Sequence, residues 1–319
     1  MLTFIKLKSI IMEKKVATVV LLFMSTVMAF AQGPFPAGGF PGGSRRGGFS
    51  QEPGKLYTLS VGKVTMTIDE NGGKVRSYKY GDQEIISQSQ MPNAWGSTFW
   101  TSPQKEWNWP PVSEFDSAPY VITEKDGKLI MASRISTKLP MRIVKEFFAD
   151  ETDGCIVANY YIVNESKETR KVAPWEITRV PSEGVVFFDC PVDNIEAASG
   201  ELIIFDSAYG LSWYKFDERP ANRKINADGQ GWLAYSNNGL LMVKKFDNIT
   251  PAQPAPGEAE IQVYVNAGST YTELESQGEY KTLKPGEALR WTVRWYLVPQ
   301  SNGLEPSKAL AKQVKKIVK

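Results

Sequence analysis

The stretch LRWTVRWYL, residues 289–297, alternates apolar and polar side chains from one end to the other. One face of the extended chain would carry Leu289, Trp291, Val293, Trp295 and Leu297, and the other Arg290, Thr292, Arg294 and Tyr296. Successive side chains of a β-strand point to opposite faces of a sheet. The pattern therefore predicts a strand with one face against a hydrophobic core.

The same period of two recurs along most of the chain. It is present in residues 64–68, 75–80, 141–148, 155–163, 240–246 and 261–265, with Gly, Asn, Asp and Pro between the segments. Asn71-Gly72-Gly73 supplies the positive-φ turn of a hairpin. These features predict an all-β fold, a large antiparallel β-sandwich over residues 55–300. Residues 301–319 then provide a short C-terminal helix, which Ser307 can cap.

The composition excludes several classes of function. The chain has 37 basic and 35 acidic residues, spread without long runs, which argues against a nucleic-acid groove. It contains no histidine, so Ser-His-Asp and Cys-His triads and the usual zinc sites cannot form. No loop carries the spaced acidic pattern typical of a calcium site. We therefore expect no cofactor and no metal.

The N-terminal region has the features of an export signal. Lys14 and Lys15 precede an apolar run, residues 16–30, that ends in Ala29-Phe30-Ala31. This pattern predicts a signal peptide over residues 1–31 and a periplasmic or extracellular protein with no membrane span in its mature form. Residues 32–54 contain twelve Gly or Pro among 23 positions, which predicts a flexible tail without a fold of its own.

Tryptophan is concentrated in AWGSTFWTSPQKEWNWPP, residues 94–111. Four of the nine tryptophans lie here: Trp95, Trp100, Trp107 and Trp109. Aromatic, amide and charged residues are mixed without a period and Pro110-Pro111 closes the stretch, so we expect a surface loop rather than a core strand. Such a loop can stack on a sugar ring. It can equally be a hydrophobic lid over one end of the sandwich.

Two further pairs of residues have more than one interpretation. Glu273 and Glu275 lie two apart on a predicted strand and so face the same way, which is typical of a solvated edge and also suits a functional site. Cys155 and Cys190 are the only cysteines, and they can form a disulfide in an oxidising compartment or remain as two buried thiols. Neither has a basic cluster beside it in the sequence, so cysteine catalysis is not expected.

Several motifs resemble those of the galactose-mutarotase-like (aldose 1-epimerase) superfamily. LESQ at 274–277, followed by LKPGE at 283–287, resembles the segment in which that superfamily carries its catalytic glutamate. NGGKV at 71–75, residues 96–104 and APWE at 173–176 resemble other family motifs in the same order. The resemblance implies a mutarotase-like supersandwich and suggests a secreted bacterial branch classed as a domain of unknown function. It also implies that Glu275 is the catalytic base.

The sequence departs from the enzymes of that superfamily at two positions. Trp175-Glu176 stands where the family presents its acidic histidine, and Trp95 stands where the phosphate-epimerase branch has an arginine. Glu176 can be a substitute acid or a structural carboxylate. We expect one concave site with Glu275 and Glu176 as catalytic candidates. The expected substrate-binding residues are Trp100, Gln104, Trp107, Trp109, Trp175 and Arg179. The alternation of a strand would, however, point Trp175 and Glu176 to opposite faces.

A functional expectation follows from these residues together. Mutarotation requires both a base and an acid, and the chain lacks the family's acid. We therefore expect a monomeric protein that binds a neutral sugar or glycan without efficient epimerase activity. The alternatives are an aldose 1-epimerase-like isomerase with Glu275 as base and a non-histidine acid, a glycosidase-related accessory domain, and a structural surface protein.

Overall fold

The computed structural model describes residues 53–91, 93–300 and 304–319. The predicted signal peptide, residues 1–31, and all but the last two positions of the predicted tail lie outside these described residues. The described strands form two antiparallel sheets, one of eleven strands and one of ten.

The first sheet, called sheet I, holds the N-terminal hairpins and the strands around Glu275. Numbered along the chain and given in spatial order, its strands are β1 (Leu56–Val61), β2 (Val64–Asp69), β3 (Lys74–Tyr80), β5 (Ser97–Ser102), β10 (Arg170–Val180), β19 (Thr272–Gln277), β18 (Ile261–Val265), β15 (Arg223–Ala227) and β12 (Glu196–Ser199). The short strand β4 (Gln83–Glu84) pairs with β3, and β20 (Lys281–Leu283) pairs with β10.

The second sheet, called sheet II, contains the strand predicted from residues 289–297. Its spatial order is β13 (Asp206–Ala208), β14 (Leu211–Lys215), β11 (Val185–Phe188), β16 (Trp232–Asn237), β17 (Leu240–Lys245), β21 (Ala288–Pro299), β9 (Cys155–Asn164), β8 (Met141–Asp150), β7 (Lys128–Ala132) and β6 (Val121–Lys125). The predicted alternation of β21 is present, because Trp291, Val293 and Trp295 are buried.

The inner faces of the two sheets pack against each other. Phe99 of β5 stacks on Tyr160 of β9, with ring centroids 4.2 Å apart and an interplanar angle of 3°. The hydroxyl of Tyr78 on β3 donates to the carbonyl of Trp295 on β21 at 2.8 Å. The predicted antiparallel β-sandwich is therefore confirmed.

Helices contribute little to the described part of the chain. α1 (Ser113–Asp116) is a single turn, and α2 (Lys308–Ile317) lies at the C-terminus. Three 3₁₀ turns cover Gln104–Glu106, Val192–Asn194 and Ala267–Ser269. Ser307 caps α2 by accepting a hydrogen bond from the Leu310 amide at 3.2 Å, as predicted. Within the described residues, no helix combines the length and the apolar character needed to cross a membrane.

The expectation that residues 94–111 form a surface loop is wrong for Ser97–Ser102. These six residues are strand β5, fully buried between β3 and β10 in sheet I. A strand covered on both faces needs no polar side, so the period of two that marks a half-buried strand is missing. The loop prediction holds only after Pro103, where the chain leaves the sheet in the 3₁₀ turn.

The predicted turn at Asn71-Gly72-Gly73 joins β2 to β3, and Gly72 has a φ of 71°. A Cβ at Gly72 would lie 2.0 Å from the carbonyl oxygen of Asp116, so this position requires glycine. The contact brings α1 beside sheet I. Cys155 and Cys190 are both buried and unbridged, which decides between the two interpretations in favour of free thiols.

Candidate functional site

Three central strands of sheet I place functional side chains on its outer face. Trp100 of β5 lies opposite Trp175 of β10, and Trp175 lies opposite Gln277 of β19. The indole Nε1 of Trp175 donates to Oε2 of Glu275 at 2.7 Å. Trp100, Trp175 and Glu275 therefore share the face that looks away from sheet II, and β19 is an interior strand rather than a solvated edge.

Three tryptophans of the predicted loop gather on this face with Trp175, whereas Trp95 lies apart, beside Lys74 and Arg76. The ring of Trp100 is 5.4 Å from that of Trp175, 5.5 Å from that of Trp107 and 6.3 Å from that of Trp109, each in an edge-to-face arrangement. Trp100, Trp107 and Trp175 are buried, whereas Trp109 is 58% exposed. Of the loop tryptophans, Trp100 and Trp107 thus fit the lid interpretation. Within this cluster, Trp109 is the ring that presents a large aromatic surface to solvent.

Hydrogen bonds hold the buried rings in place. Nε1 of Trp107 donates to the Thr101 carbonyl at 2.8 Å, and Nε1 of Trp100 donates to Oδ1 of Asp116 at 2.8 Å. Every indole N–H of the three buried rings is therefore satisfied, counting the bond from Trp175 to its glutamate. The exposed ring of Trp109 thus rests on a cluster with fixed geometry.

Glu275 is almost inaccessible and forms an ion pair with a lysine. Its side chain is 1% exposed, and its Oε2 accepts from Nζ of Lys224 at 2.8 Å as well as from Trp175. Burial raises the pKa of Glu275, and the Lys224 ammonium opposes that shift. Lys224 reaches this carboxylate from β15, with Nζ 4.9 Å from the centre of the Trp175 ring. Its own side chain is 18% exposed.

Two further ion pairs lie beside the aromatic cluster. Nε of Arg179 donates to Oε1 of Glu273 at 2.9 Å, and the guanidinium lies 5.5 Å from the centre of the Trp100 ring. Nζ of Lys74 donates to Oδ2 of Asp116 at 2.9 Å. Burial alone would raise the pKa of Asp116, but Lys74, the Trp100 indole and Arg179 together outweigh it, so the pKa is lowered. Arg179 is thus near the site, yet its charge is compensated within the protein.

Amide side chains continue this face beyond Glu275. Nε2 of Gln277 donates to Oε1 of Gln262 and to Oε2 of Glu258, both at 2.9 Å. Nε2 of Gln262 donates in turn to Oδ1 of Asn226 at 2.7 Å. A polar strip therefore runs from β19 across β18 to β15, next to the carboxylate.

The prediction that Glu176 lines the same site as Glu275 is wrong. Glu176 follows Trp175 on β10, so its side chain points into the space between the sheets, where it is fully buried. Its Oε1 accepts from the Tyr160 hydroxyl at 2.5 Å and from Nε1 of Trp295 at 3.2 Å, and its Oε2 lies 2.5 Å from Nζ of Lys244. The two carboxylates therefore cannot flank one sugar bond as the acid and base of a glycosidase would.

Gln104 lies at the rim of the tryptophan cluster. Its backbone carbonyl accepts from the amides of Trp107 at 3.1 Å and Asn108 at 2.8 Å, which closes the turn after β5. Its side chain is half-buried. The structure thus brings together on one face Glu275 and five of the predicted binding residues, places Gln104 in the adjoining turn, and separates Glu176 from them.

Lys224 and Asp116 belong to the site but are absent from the sequence-based prediction. RKINA at 223–227 alternates buried and half-buried residues, and this period of two could have placed Lys224 on the open face of a strand. Asp116 carries no such signal. It enters the site through α1, a single turn held against sheet I by the glycine contact.

One group of metal-ligand type is present among the described residues, away from this face. Asp150, Asp153 and Cys155 have ligand atoms within 4.8 Å of one another. Nη1 of Arg294 already lies 2.8 Å from Asp150 and 3.0 Å from Asp153. The guanidinium supplies the positive charge in this group, so these residues form a salt-bridge network.

Comparison with known proteins shows which fold this is. No protein-family model matches the chain. No curated protein matches it in sequence either. Among solved structures it is similar to a putative aldose 1-epimerase from Escherichia coli K12, with a TM-score of 0.55 and 11% identity over 77% of this chain and 99% of that one.

Two solved structures of Lactobacillus proteins are also similar to this chain. A galactose mutarotase-like protein from Lactobacillus casei ATCC 334 has a TM-score of 0.52 at 11% identity, covering 76% of this chain and 100% of that one. A galactose mutarotase related enzyme from Lactobacillus acidophilus has a TM-score of 0.55 at 10% identity, covering 79% and 100%. This chain therefore has the galactose-mutarotase-like fold, as the sequence motifs implied.

Proposed function

We propose that this protein binds a neutral sugar or glycan on the outer face of sheet I and does not interconvert anomers at an enzymatic rate. The observation that carries the proposal is the exposed ring of Trp109, which packs on Trp100 in the cluster whose other end, Trp175, contacts the buried Glu275 and Lys224. An indole face packs against the C–H face of a pyranose, while nearby charged and amide groups bond its hydroxyls. The fold it shares with sugar epimerases supports a ligand of this class.

The absence of a suitable acid argues against efficient mutarotation. The reaction needs a base for the anomeric hydroxyl and an acid for the ring oxygen, and each typically contributes about 10²- to 10⁴-fold. The chain has no histidine. Glu176 is shut between the sheets, and Oε2 of Glu275 already accepts two hydrogen bonds. Recognition by Trp109 does not depend on that chemistry.

Titration calorimetry with glucose, galactose and their short oligosaccharides tests the binding proposal. Trp109→Ala should remove measurable affinity, since aromatic stacking is an important term in such a site. Ile204→Ala is the matched control, because Ile204 is 62% exposed and belongs to the segment before β13 in sheet II. Equal affinity of wild type and Trp109→Ala would refute the role of this face.

The second candidate is an aldose 1-epimerase-like isomerase. It is favoured by one observation, the 2.8 Å separation of Lys224 Nζ from Glu275, because an ammonium next to the base is a possible proton donor. Polarimetry on freshly dissolved α-glucose and α-galactose distinguishes the two. A rate well above background that disappears in Glu275→Gln would favour the isomerase.

We also propose that the protein is exported, acts in the periplasm or outside the cell, and is a monomer. The basic and apolar pattern of residues 14–31 supports export. Fractionation of cells that express the full chain, with a variant in which Lys14 and Lys15 are both changed to Glu as control, tests the location. Light scattering of the purified protein tests the oligomeric state.

A further inference from the structure

Lys224 covers Glu275 on the side from which a ligand would approach. The lysine side chain is 18% exposed and the glutamate side chain 1% exposed, although their charged atoms are only 2.8 Å apart. Nζ of Lys224 also lies 4.9 Å from the centre of the buried Trp175 ring. A sugar arriving at this face therefore meets the ammonium before the carboxylate.

The Lys224 ammonium and the Glu275 carboxylate differ in the hydrogen bonds that they can form. An ammonium has three N–H donors, and among the described residues the hydrogen bond of Lys224 goes to Oε2 of Glu275. The two remaining N–H groups can donate to a ligand oxygen. Glu275 holds Lys224 by this ion pair and is itself held by the indole N–H of Trp175.

From this geometry we infer that Lys224 is the residue that contacts the sugar, that Glu275 is a positioning residue acting through it, and that the ligands include glycosides without a free anomeric hydroxyl. The inference rests on the proposed function. A donor such as Lys224 recognises hydroxyl, ring and glycosidic oxygens, all of which remain when the anomeric position is blocked. A carboxylate base would instead need the anomeric O–H as a donor.

The first experiment compares free and blocked sugars by calorimetry. Galactose and glucose are titrated alongside their methyl α- and β-glycosides against the wild-type protein. Affinities that agree within about threefold support the inference, because such a change is well below the worth of one hydrogen bond to a charged group. Binding of the free sugars more than about tenfold tighter than that of the glycosides would overturn it.

The second experiment uses variants of the pair. Lys224→Gln should weaken binding of both kinds of ligand by about tenfold or more, Lys224→Arg should retain most of it, and Glu275→Gln should weaken it through loss of the ion pair. The double variant Lys224→Gln/Glu275→Gln should lose no more than Lys224→Gln alone, since the two residues act as one unit. Lys312→Gln is the control, because Lys312 is an exposed lysine on α2.

The outcomes separate this inference from the proposed function. Unchanged or tighter binding by Lys224→Gln, with Trp109→Ala still impaired, would overturn the inference and leave the sugar site in place. Lys224 would then be a cover over Glu275. No binding of any sugar or glycoside by the wild-type protein would overturn both. Thermal unfolding of each variant verifies that a loss of affinity is not a loss of fold.

Discussion

Glu176 and Lys244 form an ion pair in the middle of the protein, and breaking it tests whether Glu176 is structural. Both side chains are fully buried between the sheets, with Oε2 of Glu176 and Nζ of Lys244 2.5 Å apart. Nζ of Lys244 also donates to Oγ1 of Thr178 at 2.7 Å. Burial lowers the pKa of Lys244, and the Glu176 carboxylate opposes that shift.

The change Lys244→Met removes the cation and leaves the carboxylate in place. Glu176 keeps the Tyr160 and Trp295 donors but loses the cation that forms an ion pair with it. Removing one partner of a buried pair typically costs about 3–5 kcal/mol. With an m-value of about 3 kcal/mol/M for a domain of this size, the urea midpoint should fall by about 1–1.7 M.

Urea unfolding followed by tryptophan fluorescence measures this loss. Lys245→Met is the matched control, since Lys245 is the next residue of β17 and is half-buried on the opposite face; it should change the free energy of unfolding by less than about 1 kcal/mol. The double variant Lys244→Met/Glu176→Gln should recover most of the loss, because no unpaired charge remains. A loss below about 1 kcal/mol in Lys244→Met would show that the buried Glu176 carboxylate does not depend on its ion pair.

Three other predictions concern features away from this pair. Burial raises the pKa of Glu260 to about 7, above its value in the unfolded chain. The free energy of unfolding should therefore fall as the pH rises from about 4.5 to 7 and then level off. Urea midpoints measured across this pH range should show the fall, and Glu260→Gln should flatten it. Gly72→Ala should lower the melting temperature sharply, because the new Cβ meets the Asp116 carbonyl at a positive φ. Cys155 and Cys190 should both react with a thiol reagent in denaturant without prior reduction.

The period of two predicted most of the sandwich because most strands bury one face only. β21 is the clearest case, with its apolar face against sheet I. β5 was not predicted as a strand because both of its faces are covered. The tryptophan cluster covers one face, and Tyr160 packs against Phe99 on the other. A strand without a polar face has no alternation to detect.

The candidate site was predicted in part. The motif around Glu275 and the alternation of β10 place Trp175 and Arg179 correctly on one face, and the same alternation excludes Glu176. Lys224 could not be assigned to Glu275 from the sequence, since 51 positions separate them and the contact depends on how β15 and β19 join sheet I. Long-range strand order is the information that a single sequence lacks.

A crystal structure of the protein soaked with galactose and with methyl β-galactoside would locate the bound sugar and its contacts. We predict that both ligands lie against the exposed face of Trp109, with a sugar oxygen about 2.8–3.0 Å from Nζ of Lys224. A sugar bound elsewhere on the protein would contradict the account. So would a free sugar whose anomeric hydroxyl displaces Lys224 and donates directly to Glu275.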